Sequence, residues 1–162
     1  MRRYREGDYD GAFEYHTKAA GLGDADAHYQ LSVSYRDGKG VEKDKKKELH
    51  HLEEAAIAGH PHARNNLGFV ELDNYRPKRA MKHWIIANKL GHDGPMETVK
   101  EGFQKGLVSK EDFAATLRGH QAAVDATKSP QGGGRSSSFF GYFFVRRRLV
   151  KLRLKCFSTM VQ

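Results

Sequence analysis

A chain of 162 residues can hold one domain of ordinary size, and a hydrophobic content of 38% is modest but sufficient for a shallow helical core. The single cysteine excludes an intramolecular disulfide and favours a reducing compartment. The formal net charge of +8 comes entirely from residues 128–162, because residues 1–127 contain equal numbers of acidic and basic residues. The net charge therefore gives no reason to expect nucleic-acid binding by residues 1–127.

The N-terminus and the hydropathy of the chain narrow its expected location. The first residues, MRRYREGDYDG, contain no apolar run of the kind that a secretory signal needs. No segment approaches the roughly 20 apolar residues of a membrane-spanning helix. We therefore expect a cytoplasmic protein, with the nucleus as the alternative.

The first predicted helix lies within residues 8–23 and has no predicted partner on its N-terminal side. Residues 12–23 match the second helix of a hairpin at residues 25–59. Terminal helices of a repeat stack need a polar cap or a partner over their open face. We therefore expect either that residues 1–7 cap this helix poorly or that a further N-terminal region is missing.

Residues 25–59 predict a helix hairpin. Ala27, Leu31 and Tyr35 recur at four-residue steps and give its first helix one apolar face. Its second helix has an apolar face formed by Leu49, Leu52, Ala55 and Ala56. Residues 37–40, Asp-Gly-Lys-Gly, contain two glycines that suit an abrupt reversal between the helices. Asp44 is predicted to cap the second helix.

The hairpin recurs along the chain with a period typical of stacked helical repeats. Gly23, Gly59 and Gly91 lie 36 and 32 residues apart. The apolar columns recur as well, in the pairs Ala27 and Ala63, and Leu31 and Leu67. The shorter second spacing reflects a deletion in the turn at residues 71–78, where a loop tolerates it. Trp84 lies on the apolar face of the last helix of this repeat and is predicted to be core.

A degenerate capping repeat is predicted after Gly91. A short helix is expected to about residue 105, and a final helix follows Ser109, a capping serine with acidic residues behind it. The buried stripe expected on the final helix comprises Phe113, Ala114 and Leu117. The predicted repeat domain spans residues 1–127, with a partial repeat at 8–23, full repeats at 25–59 and 61–91, and the capping repeat at 95–127.

A longer motif runs through the first full repeat and comprises Ala27, Leu31, Ser32, Tyr35, Gly38, Gly40, Val41, Asp44, Lys47, Ala55, Ala56 and Gly59. It resembles the Sel1-like repeat, a relative of the tetratricopeptide repeat, and the resemblance covers about residues 8–126. Ser32 stands where the family usually has Gly, and Glu48 where it usually has Ala. The resemblance implies an all-α fold, a right-handed α-solenoid of antiparallel helix hairpins. Similar proteins carry a RING-type zinc domain before the repeats, but the Cys and His pairs of such a domain are missing here, so its ligase activity is not implied.

Residues 128–162 differ sharply in composition from the repeats. Residues 129–138 are rich in Ser and Gly and indicate a flexible linker. Beyond it, apolar and basic residues alternate at 150–155, which favours an exposed strand over a helix. We predict a disordered tail, or the product of a divergent or misread reading frame. The alternative is contact with an anionic membrane surface or RNA through Arg146, Arg147, Arg148, Lys151, Arg153 and Lys155.

The sequence contains no constellation that predicts catalysis. The densest group of histidines comprises His50, His51, His60 and His62. Adjacent histidines on a helix point about 100° apart, so a structural role is favoured over a metal site. Residues 37–41 lack the ending of a phosphate-binding loop, and no nucleophile has an ordered partner motif. We therefore predict a protein that is not an enzyme and has no metal, cofactor or small-molecule substrate.

The function predicted from the repeats is that of a scaffold or adaptor that binds another protein or a peptide. Stacked hairpins curve, and the first helices of the hairpins expose a concave strip of rigidly held side chains. The residues predicted to line this strip are His28, Gln30, Val33, Arg36, Arg64, Asn65 and Phe69. Attachment to a membrane or a nucleic acid through the tail is the alternative function.

Overall fold

The computed structural model describes residues 8–92 and 94–127, and these residues form seven α-helices joined by short turns. The helices are α1 (Tyr9–Ala20), α2 (Ala25–Asp37), α3 (Lys45–Ile57), α4 (Pro61–Asp73), α5 (Pro77–Lys89), α6 (Met96–Gln104) and α7 (Lys110–Thr127). These residues contain no strand, so the prediction of an all-α fold is confirmed for them. None of the seven helices combines the length and apolarity that crossing a bilayer requires. The linker, the strand and the tail predicted at 128–162 lie outside the described residues.

Two helices begin at the side-chain caps that the sequence predicts. At the start of α3, the Asp44 carboxylate accepts hydrogen bonds from the amides of Lys46 and Lys47, at 2.9 and 3.1 Å. Before α7, Ser109 Oγ accepts from the amide of Asp112 at 3.0 Å and donates to its carboxylate at 2.9 Å. These bonds satisfy amides of the first turn that have no partner within the helix. The predicted caps Asp44 and Ser109 are therefore confirmed.

One backbone joint ends three of the helices, α1, α3 and α5. Gly23, Gly59 and Gly91 adopt φ angles of 85°, 90° and 85°. In each joint the glycine amide donates to the carbonyl three residues earlier, and the next amide donates to the carbonyl five residues before it. This pair of bonds is the Schellman motif, in which a glycine takes the left-handed conformation without steric cost. The three glycines aligned in the sequence thus occupy equivalent positions in the local structure.

The chain divides between Leu67 and Gly68 into two compact units, here called unit 1 and unit 2. In unit 1, α2 packs against both α1 and α3, so the two helices of the predicted 25–59 hairpin are in contact. The core cluster joining α1 and α2 comprises Ala20, Ala27 and Leu31, with Phe13 and Ala19 packed against it. On α3, the predicted residues Leu52, Ala55 and Ala56 are buried, whereas Leu49 is only half-buried.

In unit 2, α5 packs against α6 and α7, and α6 packs against α7. Trp84 of α5 is fully buried in the core, as predicted. Phe69 meets the Trp84 ring edge to face, with centroids 5.4 Å apart. Phe103 of α6 and Phe113 of α7 stack nearly parallel at 4.8 Å. These ring contacts link all the helices of unit 2 to one cluster of apolar side chains.

The final helix buries part of the predicted stripe, since Phe113 and Ala114 are half-buried, but it exposes Leu117. Leu117 keeps 45% of its surface exposed, whereas Thr116 is fully buried. The Thr116 hydroxyl donates to the carbonyl of Asp112 at 2.7 Å, so the buried hydroxyl is satisfied within the helix. One turn further on, His120 Nδ1 lies 3.3 Å from the backbone oxygen of Asn88 on α5. The predicted burial of Leu117 is wrong because its neighbour Thr116, about 100° round the helix, takes the inward position.

Gly40 occupies a position that only glycine fills without strain. It has a φ of 70°, and a Cβ there would overlap the carbonyl group of Tyr9 and approach Phe13 Cβ to 3.1 Å. Gly59 also has a positive φ, but a Cβ there meets nothing within 4 Å. The connection after α2 therefore lies directly against the start of α1.

This difference predicts unequal effects for two matched substitutions. Gly59→Ala is expected to destabilise unit 1 by about 1 kcal/mol through its backbone conformation alone. Gly40→Ala adds the steric conflict with Tyr9 and is expected to cost about 1–2 kcal/mol more. Chemical denaturation followed by circular dichroism measures both. Equal losses for the two variants would show that residue 40 does not lie against α1.

Candidate functional site

Four of the seven residues predicted to bind a partner lie on α2, in unit 1. They are His28, Gln30, Val33 and Arg36. Gln30 is exposed, and the other three are half-buried. The helix begins where the Asp24 carboxylate accepts a hydrogen bond from the amide of Ala27 at 2.7 Å. It ends at Gly38, whose amide donates to the carbonyl of Ser34 from a left-handed conformation.

The guanidinium group of Arg36 pairs with the neighbouring carboxylate. Its Nε donates a hydrogen bond to Asp37 Oδ1 at 2.9 Å, and Lys39 Nζ lies 3.8 Å from the other carboxylate oxygen. The hydrogen bond from Arg36 is the main reason that the pKa of Asp37 is lowered. Both side chains are partly exposed, so solvent screens the pair. The charge of Arg36 is therefore balanced locally by Asp37.

His28 directs its imidazole towards α3. Its Nδ1 lies 3.1 Å from Nδ1 of His51, and the ring centroids are 5.3 Å apart. His51 in turn stacks on Tyr35, with ring planes within 6° and centroids 5.6 Å apart. For a hydrogen bond between two Nδ1 atoms, one must carry the hydrogen and the other must accept it. The two histidines thus form a polar contact within the α2 and α3 interface.

The other three predicted residues lie on α4 and take part in the packing of the protein. Asn65 is only 5% exposed. Arg64 is half-buried, and its Nε has no hydrogen-bond partner among the described residues. Phe69 belongs to unit 2, where its ring packs against Trp84. The structure therefore gathers four of the seven residues on one helix, and the binding role of the whole set stays a prediction.

Tyr29 and His60 connect α2 to the beginning of α4. Their rings stack with centroids 4.3 Å apart and an interplanar angle of 18°. The Tyr29 side chain also has a hydrogen bond with that of Asn66. Burial raises the pKa of Tyr29 and outweighs the opposing effect of this bond, so the phenol is neutral at physiological pH. The Tyr29 side chain is therefore a structural contact between two helices of unit 1.

Both nitrogens of His60 are engaged. Nδ1 accepts a hydrogen bond from the amide of Ala63 at 3.2 Å, and Nε2 lies 3.2 Å from Asp26 Oδ1. This geometry places the hydrogen on Nε2 and none on Nδ1. Burial is the main cause of the lowered pKa of His60, and the exposed carboxylate of Asp26 opposes this shift. His60 therefore caps α4 and has no free nitrogen with which to act as a general base.

The sequence singled out His51 and His60 but did not predict what they contact. The sequence does carry a local signal for His60. Gly59 ends the preceding helix and Pro61 is the first residue of α4, so His60 lies at the position of the N-terminal cap. No such signal identifies Asp26 or Tyr29, since their contacts join different helices. Within 8–92 and 94–127, no group of three or more His, Cys, Asp or Glu side chains is arranged to hold a metal ion.

Comparison of the chain with protein-family models gives no match, and comparison with curated proteins gives none either. The resemblance to the Sel1-like repeats therefore rests on the residues of the sequence motif.

Proposed function

We propose that the chain is a Sel1-like repeat protein, a right-handed α-solenoid of antiparallel hairpins, that binds another protein or a peptide in the cytoplasm. The observation that carries the proposal is the recurrence of one Schellman joint at Gly23, Gly59 and Gly91, in register with the sequence repeat. A stack of repeats is built from copies of one unit, and the same local joint at the spacing of the sequence repeat supports the proposal. The proposal includes no catalytic step, metal or cofactor.

The proposed binding surface is the accessible side of α2. This helix is capped by Asp24 and Gly38 and packs against both α1 and α3. The backbone of such a rigid helix loses little conformational entropy when a partner binds, so more of the contact energy appears as affinity. Gln30 supplies an exposed amide group, and Arg36 supplies a half-buried guanidinium group whose Nε and Nη2 also donate to Asp37. A partner with exposed carbonyl or carboxylate oxygens fits these groups.

The test is a capture experiment with the immobilised full chain, in which the proteins retained from a cell extract are identified and their affinities measured. We expect the double variant Gln30→Ala/Arg36→Ala to weaken binding of the retained partner at least about tenfold, as polar anchors at an interface do. Glu42→Ala/Lys46→Ala is the matched control, because both residues are exposed and lie outside α2. Equal retention by the two double variants would contradict a binding role for α2.

Attachment through residues 128–162 is the second candidate function, favoured by their eight basic residues and no acidic one. Binding of this kind depends on counterion release and falls steeply with salt. The full chain carrying Arg146→Ser, Arg147→Ser and Arg148→Ser is therefore compared with the wild type on anionic vesicles and on RNA. If this triple variant fails to retain the captured protein partner while Gln30→Ala/Arg36→Ala still retains it, the partner binds residues 128–162 and not α2.

A further inference from the structure

Two contacts made by imidazole rings hold α2 within unit 1. Against α3, the Nδ1 atoms of His28 and His51 are 3.1 Å apart. Against the start of α4, Tyr29 and Asp26 meet His60. In the first contact one imidazole nitrogen accepts a hydrogen bond, whereas in the second His60 Nε2 donates to Asp26 and the accepting Nδ1 holds the amide of Ala63 at the start of α4. An acceptor nitrogen is lost as an acceptor when it binds a proton. Both contacts therefore depend on the pH range in which histidine titrates.

In the contact with α3, one Nδ1 donates its hydrogen and the other accepts it. A proton on the accepting nitrogen leaves two donors facing each other and puts positive charge beside the partner ring. Burial is the main cause of the lowered pKa of His51, followed by the charges of His28 and His50. Lys47 acts in the same direction, and Glu54 opposes it. The balance of the surrounding groups therefore resists protonation of His51.

The remaining neighbour of His51 on α2 is Tyr35, which covers one face of the imidazole. Lys47 Nζ lies 5.4 Å from the centroid of the Tyr35 ring, so a further positive group stands next to the stack. From α1, Phe13 meets Tyr35 edge to face at 5.5 Å and brings no charge. A positive His51 would keep its stack on Tyr35, but none of these neighbours accepts the hydrogen bond that the protonated Nδ1 would then donate.

At the contact with α4, protonation of His60 removes a helix cap. His60 Nδ1 accepts from the amide of Ala63, and the protonated ring has no lone pair with which to do so. The proton would also bring a positive charge to the N-terminal end of α4, where the helix dipole is already positive. His62, whose side chain is exposed, adds positive charge nearby, and burial is the main cause of the lowered pKa of His60 while Asp26 raises it.

We propose that unit 1 is acid-sensitive: the contact between α2 and α3 and the cap at the start of α4 weaken as the pH falls from about 7 to about 5. The inference stands independently of the proposed binding function. The direction of the pH effect follows from the thermodynamic linkage between proton binding and folding. His51, His60 and His62 have folded-state pKa values below that of an ordinary histidine, about 6.5, so the unfolded chain binds more protons in this range. The stability they confer is complete above about pH 6.5 and is lost as the pH falls towards the folded-state values.

The experiment is amide hydrogen exchange of the full chain at pH 7.5 and 5.5, with rates corrected for intrinsic exchange. Each histidine that stays neutral when folded raises the opening constant up to about tenfold at pH 5.5, since an ordinary histidine is about ten to one protonated there. The variant His51→Phe/His60→Asn keeps a ring on Tyr35 and an efficient cap on α4, yet neither new residue titrates. We expect the pH-dependent increase in α2 and α3 to be at least about threefold larger in wild type than in this variant.

His16→Gln, on α1 and outside both contacts, is the control and should keep the wild-type pH dependence. Equal pH dependence in wild type and in His51→Phe/His60→Asn would overturn the proposal. A second measurement avoids reliance on the variant. Titration of the imidazole NMR signals of the wild type should give midpoints for His51 and His60 below about 6.5, and midpoints at or above that value would equally overturn the proposal.

Discussion

Trp84→Ala is expected to lower the free energy of unfolding of unit 2 by about 3–5 kcal/mol, the usual cost of removing a large core aromatic residue. The Trp84 side chain has 0% exposure and lies in the cluster shared by α5, α6 and α7. Alanine would lose the transfer free energy of the indole and leave a cavity that rigid helices cannot close. It would also lose the edge-to-face contact with Phe69.

Chemical denaturation of the full chain, followed by circular dichroism, measures the Trp84→Ala effect. Fluorescence is unsuitable because Trp84 is the sole tryptophan. Ile86→Ala is the matched control, since Ile86 is exposed on the same helix, and we expect it to cost less than about 1 kcal/mol. A loss below about 1 kcal/mol for Trp84→Ala would place the indole outside the core of unit 2.

Because Gly68 lies against Trp84, a substitution at Gly68 gives a second test of the position of the indole ring. A Cβ at Gly68 would overlap the indole ring, so Gly68→Ala is expected to destabilise the wild type by about 1–3 kcal/mol. In the Trp84→Ala background that overlap is gone, and alanine has the higher helix propensity by about 1 kcal/mol. The sign of the Gly68→Ala effect should therefore reverse between the two backgrounds, which a double-mutant cycle measures.

Helix boundaries could be predicted from the sequence because their signals are local. A cap such as Asp44 or Ser109 acts on amides two or three residues away, and a glycine such as Gly59 acts through its own φ angle. The periodic burial of Ala27 and Leu31 is local in the same sense, since it depends on the periodicity of one helix. The physical causes of these features lie within a few residues of one another.

Contacts between helices could not be predicted in this way. The pairing of His28 with His51 depends on the rotation of α2 relative to α3. A helix-period pattern identifies the inward face of each helix, but it does not fix this rotation closely enough to say which two side chains meet. The exposure of Leu117 could not be predicted for the same reason, because the side chain of α7 that faces the core is that of Thr116, the polar residue beside it. Tyr75 is a local exception: it adopts a φ of 58° just after α4 without the glycine that usually signals such a position.

Leu31→Ala is expected to destabilise unit 1 by about 2–5 kcal/mol, because it removes three buried carbon atoms and leaves a cavity between α1 and α2. Leu31 is 1% exposed and packs with Ala20 and Ala27 in the core of the unit. Ala19, Ala20 and Ala27 in this cluster are too short to reach into the space, which leaves only Phe13 to fill part of it. The cost should therefore lie towards the upper part of this range.

Leu22→Ala is the control for the loss of leucine, because Leu22 lies in the turn after α1 with 91% of its surface exposed. It is expected to change the stability by no more than about 0.5 kcal/mol. Trp84 lies in unit 2, so its fluorescence does not report on this region directly, and amide hydrogen exchange resolved along the chain is the appropriate measurement. Exchange in α1 and α2 should accelerate in Leu31→Ala and stay unchanged in Leu22→Ala. Equal exchange rates in the two variants would mean that Leu31 does not stabilise the packing of α1 against α2.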